Sequence, residues 1–142
     1  MNREIKFRAW NKKEKYMEPV DDLQMFSNQL SIGMLSKDYF LGKDDVELMQ
    51  YTGLHDENGK EIYEGDIIEF SYDVFTGNFD TKVGRGTVEF IDGAFYIKPF
   101  EIEGKKIKDI DNEEWFLIYT VNIDTLKVIG NIYDNPELLG GE

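Results

Sequence analysis

Val46–Tyr72 reads V-E-L-M-Q-Y-T-G-L-H-D-E-N-G-K-E-I-Y-E-G-D-I-I-E-F-S-Y. The order is strand, tight turn, short linker, strand, and it decides the fold. Asp56-Glu57-Asn58-Gly59 places Asp first, Asn third and Gly fourth. That order suits a type I turn closed by a left-handed glycine bulge, with a two-residue Asn58-Gly59 turn as the competing geometry. Gly65 then precedes Asp66 and the apolar run Ile67–Tyr72. There the glycine would supply the backbone dihedral, and the aspartate would cap the turn into the next strand. Two turns in so short a span are how small barrels and meanders begin.

Working outward, Arg3–Trp10 alternates, with Ile5, Phe7 and Ala9 on one face and Glu4, Lys6, Arg8 and Trp10 on the other. That is the pattern of a half-buried strand. Asn11–Lys15 is a polar turn, and Tyr16-Met17 returns antiparallel before Pro19 ends the ladder. Trp10 on the polar face calls for cover by another segment, or else for a ligand that stacks on it. Asp21–Phe40 fits two patterns: a helix stripe of Leu23, Phe26, Leu30 and Leu35, or two short strands on either side of Ser27-Asn28. Asp73–Gly86, with three glycines and little periodicity, reads as a surface loop.

A hairpin follows whose register can be written down. With Asp92-Gly93 in the turn, Ile91 faces Ala94, Phe90 faces Phe95, Glu89 faces Tyr96, Val88 faces Ile97 and Thr87 faces Lys98. Phe90, Phe95, Val88 and Ile97 then share one face. Glu101–Glu114 reads as a charged, turn-rich loop. Trp115–Ile123 and Leu126–Tyr133 read as strands, the first apolar on both faces. Asn135-Pro136 opens a short C-terminal helix that Gly140-Gly141 ends.

The expected fold is therefore mainly β. It is a single domain, 1–142, built as a small barrel or meander of antiparallel strands. An N-terminal β-hairpin, 3–20, packs on a β core, 46–133, and one short helix closes the chain. A length of 142 residues suits one domain. The chain has no cysteine, so no disulfide framework or thiolate chemistry, which fits a reducing cytoplasm. Neither a signal peptide nor an apolar membrane span is recognisable.

Charge is the strongest compositional feature: 16 basic against 29 acidic residues, net −13. It is also uneven. Residues 1–20 carry six basic and three acidic side chains, leaving ten basic against 26 acidic for the rest. A surface this acidic repels phosphate backbones, so duplex nucleic acid is an unfavourable partner. The exception is the strip Lys6, Arg8, Trp10, Lys12, Lys13 and Tyr16, where basic and aromatic side chains interleave as in single-strand binders. The same strip, as an edge strand, suits an acidic second copy of the chain, and self-association through Trp10 is expected on that ground.

No catalytic constellation emerges. The lone His55 flanks the turn and has no nucleophile motif beside it. Asp56–Gly59 fails the spacing of a calcium loop. Glu64 and Asp66 around Gly65 could work as paired carboxylates, and Asp109, Asp111, Glu113 and Glu114 could hold a cation, but turn chemistry and solvated charge account for both sets. Gly84-Arg85-Gly86 is too short for a phosphate loop. Asp56, Asn58, Gly59, Gly65, Asp66, Asp92 and Gly93 are accordingly read as structural turn residues. No metal site and no cofactor is assigned.

Three blocks together are similar to one family. K-F-R-A-W at Lys6–Trp10, L-M-Q-Y-T-G-L-H-D-E-N-G-K-E-I-Y-E-G-D-I at Leu48–Ile67, and V-I-G-N-I-Y-D-N-P-E-L-L at Val128–Leu139 resemble the YopX family of phage and prophage proteins. The resemblance implies a small cytoplasmic protein encoded by a bacteriophage or a prophage. It brings no catalytic residues. The function expected is an accessory role exerted by binding, with a protein as partner. Single-strand nucleic-acid binding and carboxylate–metal catalysis are the alternatives.

Overall fold

The structure is a computed structural model. It describes residues 4–75, 77–107, 116–118 and 123–140, with the side chains of Phe26, Ile123 and Asp124 outside the description. The described residues form antiparallel sheets with a single 3-10 turn at Pro136–Leu139. At Gly53 the chain divides into two compact units. Among the described residues no helix is long and apolar enough to cross a membrane.

In the first unit, β1 (Phe7–Asn11), β2 (Tyr16–Phe26), β3 (Gln29–Met34), β4 (Phe40–Gly42) and β5 (Val46–His55) lie in the order β4-β3-β2-β1-β5. The turn between β1 and β2 is an Asx arrangement. The Asn11 side-chain oxygen accepts from the backbone N–H groups of Lys13 (3.0 Å) and Glu14 (2.9 Å). Pro19 ends the ladder to β1, where it faces Arg8, but β2 continues beyond it with β3 as its partner. Of the two patterns open for Asp21–Phe40, the strands form. Ser27 and Asn28 take φ of 51° and 64°, the left-handed pair that joins antiparallel strands by a two-residue turn. Ala9, Ile32, Met34 and Val46 form this unit's core, with Tyr16, Val20, Leu23, Leu30, Leu41 and Leu48 packed around them.

In the second unit, β6 (Glu61–Tyr63) leads into β7 (Asp66–Phe75), β8 (Phe79–Ile91), β9 (Ala94–Ile102), β10 (Lys105–Lys106), β11 (Phe116–Leu117) and β12 (Ile123–Asn131). The sheet order is β10-β9-β8-β7-β12, with β11 paired to β9. The β8–β9 register is Ile91↔Ala94, Phe90↔Phe95, Glu89↔Tyr96, Val88↔Ile97 and Thr87↔Lys98, pair for pair the one written from the sequence. Asp92 and Gly93 hold φ of 50° and 85° at its turn. The core is Ile62, Ile68, Phe70, Val88, Phe95, Ile97 and Ile118. Phe70, Tyr72 and Phe116 form an aromatic knot in it, with ring centres 4.8–5.6 Å apart.

Three expectations are corrected. Among the described residues the sheets are open and no closed barrel forms. The segment 73–86 is not a loop: β7 and β8 pair continuously from Ile67↔Thr87 to Phe75↔Phe79. The inward positions Gly84 and Gly86 carry no side chain, because Phe70, Ile97 and Ile102 fill that space, so the alternation is missing from the sequence. The C-terminal helix is only the one 3-10 turn. Asn135 precedes it without a side-chain capping bond, its oxygen being used by the Asn131 N–H at 3.1 Å. Glu103 and Gly104 (φ 50° and 77°) turn β9 into β10, a hairpin inside the expected loop. The acidic run Asp109, Asp111, Glu113 and Glu114 lies outside the described residues, as does most of Trp115–Ile123.

Candidate functional site

In the second unit Asp56, Asn58, Gly59, Gly65 and Asp66 are tied to neighbouring backbone by hydrogen bonds, while Asp92 and Gly93 stand at the separate β8–β9 turn. The Asp56 carbonyl accepts from Gly59 N–H at 3.0 Å, and Asp56 N–H donates to Lys60 O at 2.7 Å. Gly59 sits at φ 82°, and Asn58 is absent from the left-handed residues. This is the type I turn with a glycine bulge; the two-residue alternative needs both residues left-handed. Asp56 is buried and uses its whole carboxylate. Oδ1 accepts from Asn58 N–H (2.9 Å) and Lys60 N–H (2.8 Å), and Oδ2 accepts from Val128 N–H on β12 (3.0 Å). Burial pushes the carboxyl upward, but the three backbone donors and the Lys60 charge outweigh it, so Asp56 is held below the usual carboxylate range.

Asp66 is 1% exposed and accepts from Tyr63 N–H at 2.8 Å. Gly65, at φ 86°, donates to Val88 O and accepts from Ile132 N–H, both at 2.9 Å. Gly130 is a glycine because a Cβ there would lie 2.5 Å from the Asn135 side-chain oxygen. The middle and C-terminal blocks that carry the family resemblance therefore meet in space, through Asp56–Val128 and Gly65–Ile132. Their shared residues hold strands together. Among the described residues, no group of three or more His, Cys, Asp or Glu is placed to hold a metal ion.

The N-terminal strip runs along β1 and into the start of β2. Trp10 is 8% exposed, and β1 is an interior strand, bonded to β2 on one side and β5 on the other. Neither an open aromatic nor a free strand edge is offered there, which removes the reason for self-association through Trp10. Lys6 lies 3.5 Å from Glu4 and 5.0 Å from the Tyr51 ring centre, and Lys12 lies 3.1 Å from Glu47. Arg8 is half-buried and engaged within the chain. The hydroxyls of Tyr16 and Ser36 are 3.0 Å apart, and Lys13 is exposed. Lys6 and Lys12 of the basic strip are thus answered by the protein's own acids.

Two surfaces that the sequence did not single out are open instead. One is the tip of the β7–β8 hairpin in the second unit. Phe75 and Phe79 are 63% and 82% exposed, and their ring centres are 4.8 Å apart. Their position at the last cross-strand pair holds them side by side, and Thr81 Oγ1 donates to Asp73 Oδ1 at 3.0 Å just behind them. The other is a cleft of about 370 Å³ in the first unit, lined by Asp21, Asp22, Gly33, Asp38, Tyr39 and Phe40 together with Lys37. Lys37 is committed to Glu14 at 2.6 Å. That hydrogen bond raises its pKa above the ordinary value, against a smaller opposing effect of burial. The signal for the hairpin tip was two phenylalanines around a glycine turn, in a stretch whose periodicity the inward glycines erase.

No curated protein matches the chain. Among solved structures it is similar to protein EF1440 from Enterococcus faecalis, with 27% identity, a TM-score of 0.50, and coverage of 97% of this chain and 99% of that one. The YopX protein family model matches residues 6–140. That is nearly the whole chain, including all three blocks on which the resemblance rests, and the chain belongs to the YopX family.

Proposed function

We propose that the chain is an accessory protein of a bacteriophage or prophage that works in the host cytoplasm by binding another protein. The observation that supports this reading is the aromatic pair at the β7–β8 tip. Two phenyl rings held in solvent lose favourable burial on a free surface, and such rings are the side chains that anchor protein interfaces. A net charge of −13 disfavours a nucleic-acid partner, and Trp10 of the basic strip is buried. The test is affinity capture from lysogenic cells with nuclease-treated lysate, comparing the native chain with Phe75→Ser/Phe79→Ser. A stoichiometric protein that survives nuclease and is lost with the variant supports the reading. Retention of nucleic acid alone, or capture indifferent to both substitutions, overturns it.

A further inference from the structure

The first unit's cleft rests on an irregularity in the middle of its sheet. Along the β2–β3 ladder Val20 opposes Met34, but Asp22 opposes Gly33, so Asp21 is an extra residue in a β-bulge. Neighbouring side chains on a regular strand point to opposite faces; a bulge re-aims one of them. Here Asp21 and Asp22 both line the same cleft. Gly33 forms the floor beneath them. Its φ is not left-handed, so space and not backbone conformation requires glycine. A Cβ at Gly33 would lie 3.2 Å from Asp21 Oδ1, 3.3 Å from Asp22 Cβ and 3.3 Å from the Phe40 ring edge. Phe40 stands directly across from Gly33 on β4, and it and Tyr39 are 44% and 54% exposed.

Two carboxylates, an aromatic wall and a floor without a side chain suit a planar organic cation. A guanidinium can stack on a ring face while its N–H groups donate to carboxylate oxygens, and an aromatic wall gives a metal ion nothing to coordinate. The cleft's own cation, the Lys37 ammonium, is paired with Glu14 and sits over the Tyr39 ring at 5.8 Å from its centre, so the two aspartates and Phe40 are what an incoming cation would meet. Asp22 Oδ2 accepts from Gln24 Nε2 at 3.1 Å, which fixes the carboxylate.

The geometry points to this cleft as the seat for an arginine side chain of a partner protein. The inference deepens the protein-binding reading and rests on it. The full chain, labelled with nitrogen-15, is titrated with a capped Gly-Arg-Gly peptide and with the same peptide carrying uncharged, isosteric citrulline. Amide shifts are expected at Asp22, Gly33 and Phe40 with arginine. Affinity should fall roughly tenfold or more with citrulline, as loss of charge-assisted hydrogen bonds requires. Asp21→Asn/Asp22→Asn, at two exposed positions, should abolish the shifts while leaving the circular dichroism spectrum unchanged. Gly33→Ala should weaken binding by filling the floor without altering charge. Equal affinity for both peptides, shifts scattered over the acidic surface, or no shifts at all would overturn the assignment. Such a result leaves capture through Phe75 and Phe79 standing. Arginine-dependent shifts in a chain that captures no protein would instead keep the cleft and remove the wider reading.

Discussion

Asp56→Ala is the sharpest test of what holds the second unit together. The substitution strips three backbone N–H groups of their acceptor: Asn58 at 2.9 Å, Lys60 at 2.8 Å and Val128 at 3.0 Å. Asn58 and Lys60 are exposed, so water replaces much of what they lose. Val128 is half-buried in β12 and regains less. Hydrogen bonds to a charged acceptor contribute about 1.5–3 kcal/mol each, so with two of three donors rehydrated the expected loss is about 3 kcal/mol. For a chain of this size that lowers the melting temperature by roughly 10 °C. The assay is urea unfolding followed by tryptophan fluorescence, with Asp56→Asn alongside.

A pH series adds an independent sign. The folded carboxyl is held below its ordinary 3.8, so its charge stabilises the fold above that value. The contribution is lost as pH falls through the lower, folded value. The advantage of the native chain over Asp56→Asn should therefore shrink as the solution is acidified below about pH 4. An Asp56→Ala variant within about 0.5 kcal/mol of the native chain, the scatter of ordinary surface changes, would refute the reasoning.

Two glycines should fail for different reasons. Gly59→Val strains a left-handed residue at φ 82° with open space around it, costing about 1–2 kcal/mol. Gly86→Ala drives a Cβ to 2.6 Å from Lys98 O and 2.7 Å from Ile97 Cγ2, with an overpacking cost of about 3 kcal/mol. Chemical unfolding of both should rank them in that order. Trp10→Ala should cost about 3–5 kcal/mol as loss of a buried aromatic, and a neutral result would mean that Trp10 stands in solvent. Random-sequence duplex DNA should show no detectable complex by fluorescence anisotropy at about 0.15 M salt, given the net charge of −13.

The β8–β9 register was legible because turn chemistry and alternation agree over five pairs, from Ile91–Ala94 to Thr87–Lys98. The Asp56 turn was legible because Asp, Asn and Gly each have one favoured corner. The β7–β8 hairpin was not, since Gly84 and Gly86 occupy the inward positions that would otherwise show a period of two. The Asp21 bulge was invisible for a related reason: a two-against-one register exists only relative to a partner strand, and it breaks the alternation by which a strand is recognised. Alternation in β1 correctly placed Ala9 inside, yet it set Trp10 on a polar face. Whether that face is covered depends on strands distant in sequence, as does the closure of a sheet into a barrel.

Hydrogen exchange on the chain, alone and saturated with the protein it retains, measures the proposed mode of action most directly. Protection at the β7–β8 tip between Asp73 and Lys82 is the predicted result, joined by Asp21–Phe40 where the partner's arginine seats in the cleft, with Lys6–Tyr16 exchanging as in the free chain. Protection over Lys6–Tyr16 with the hairpin tip unchanged would contradict it.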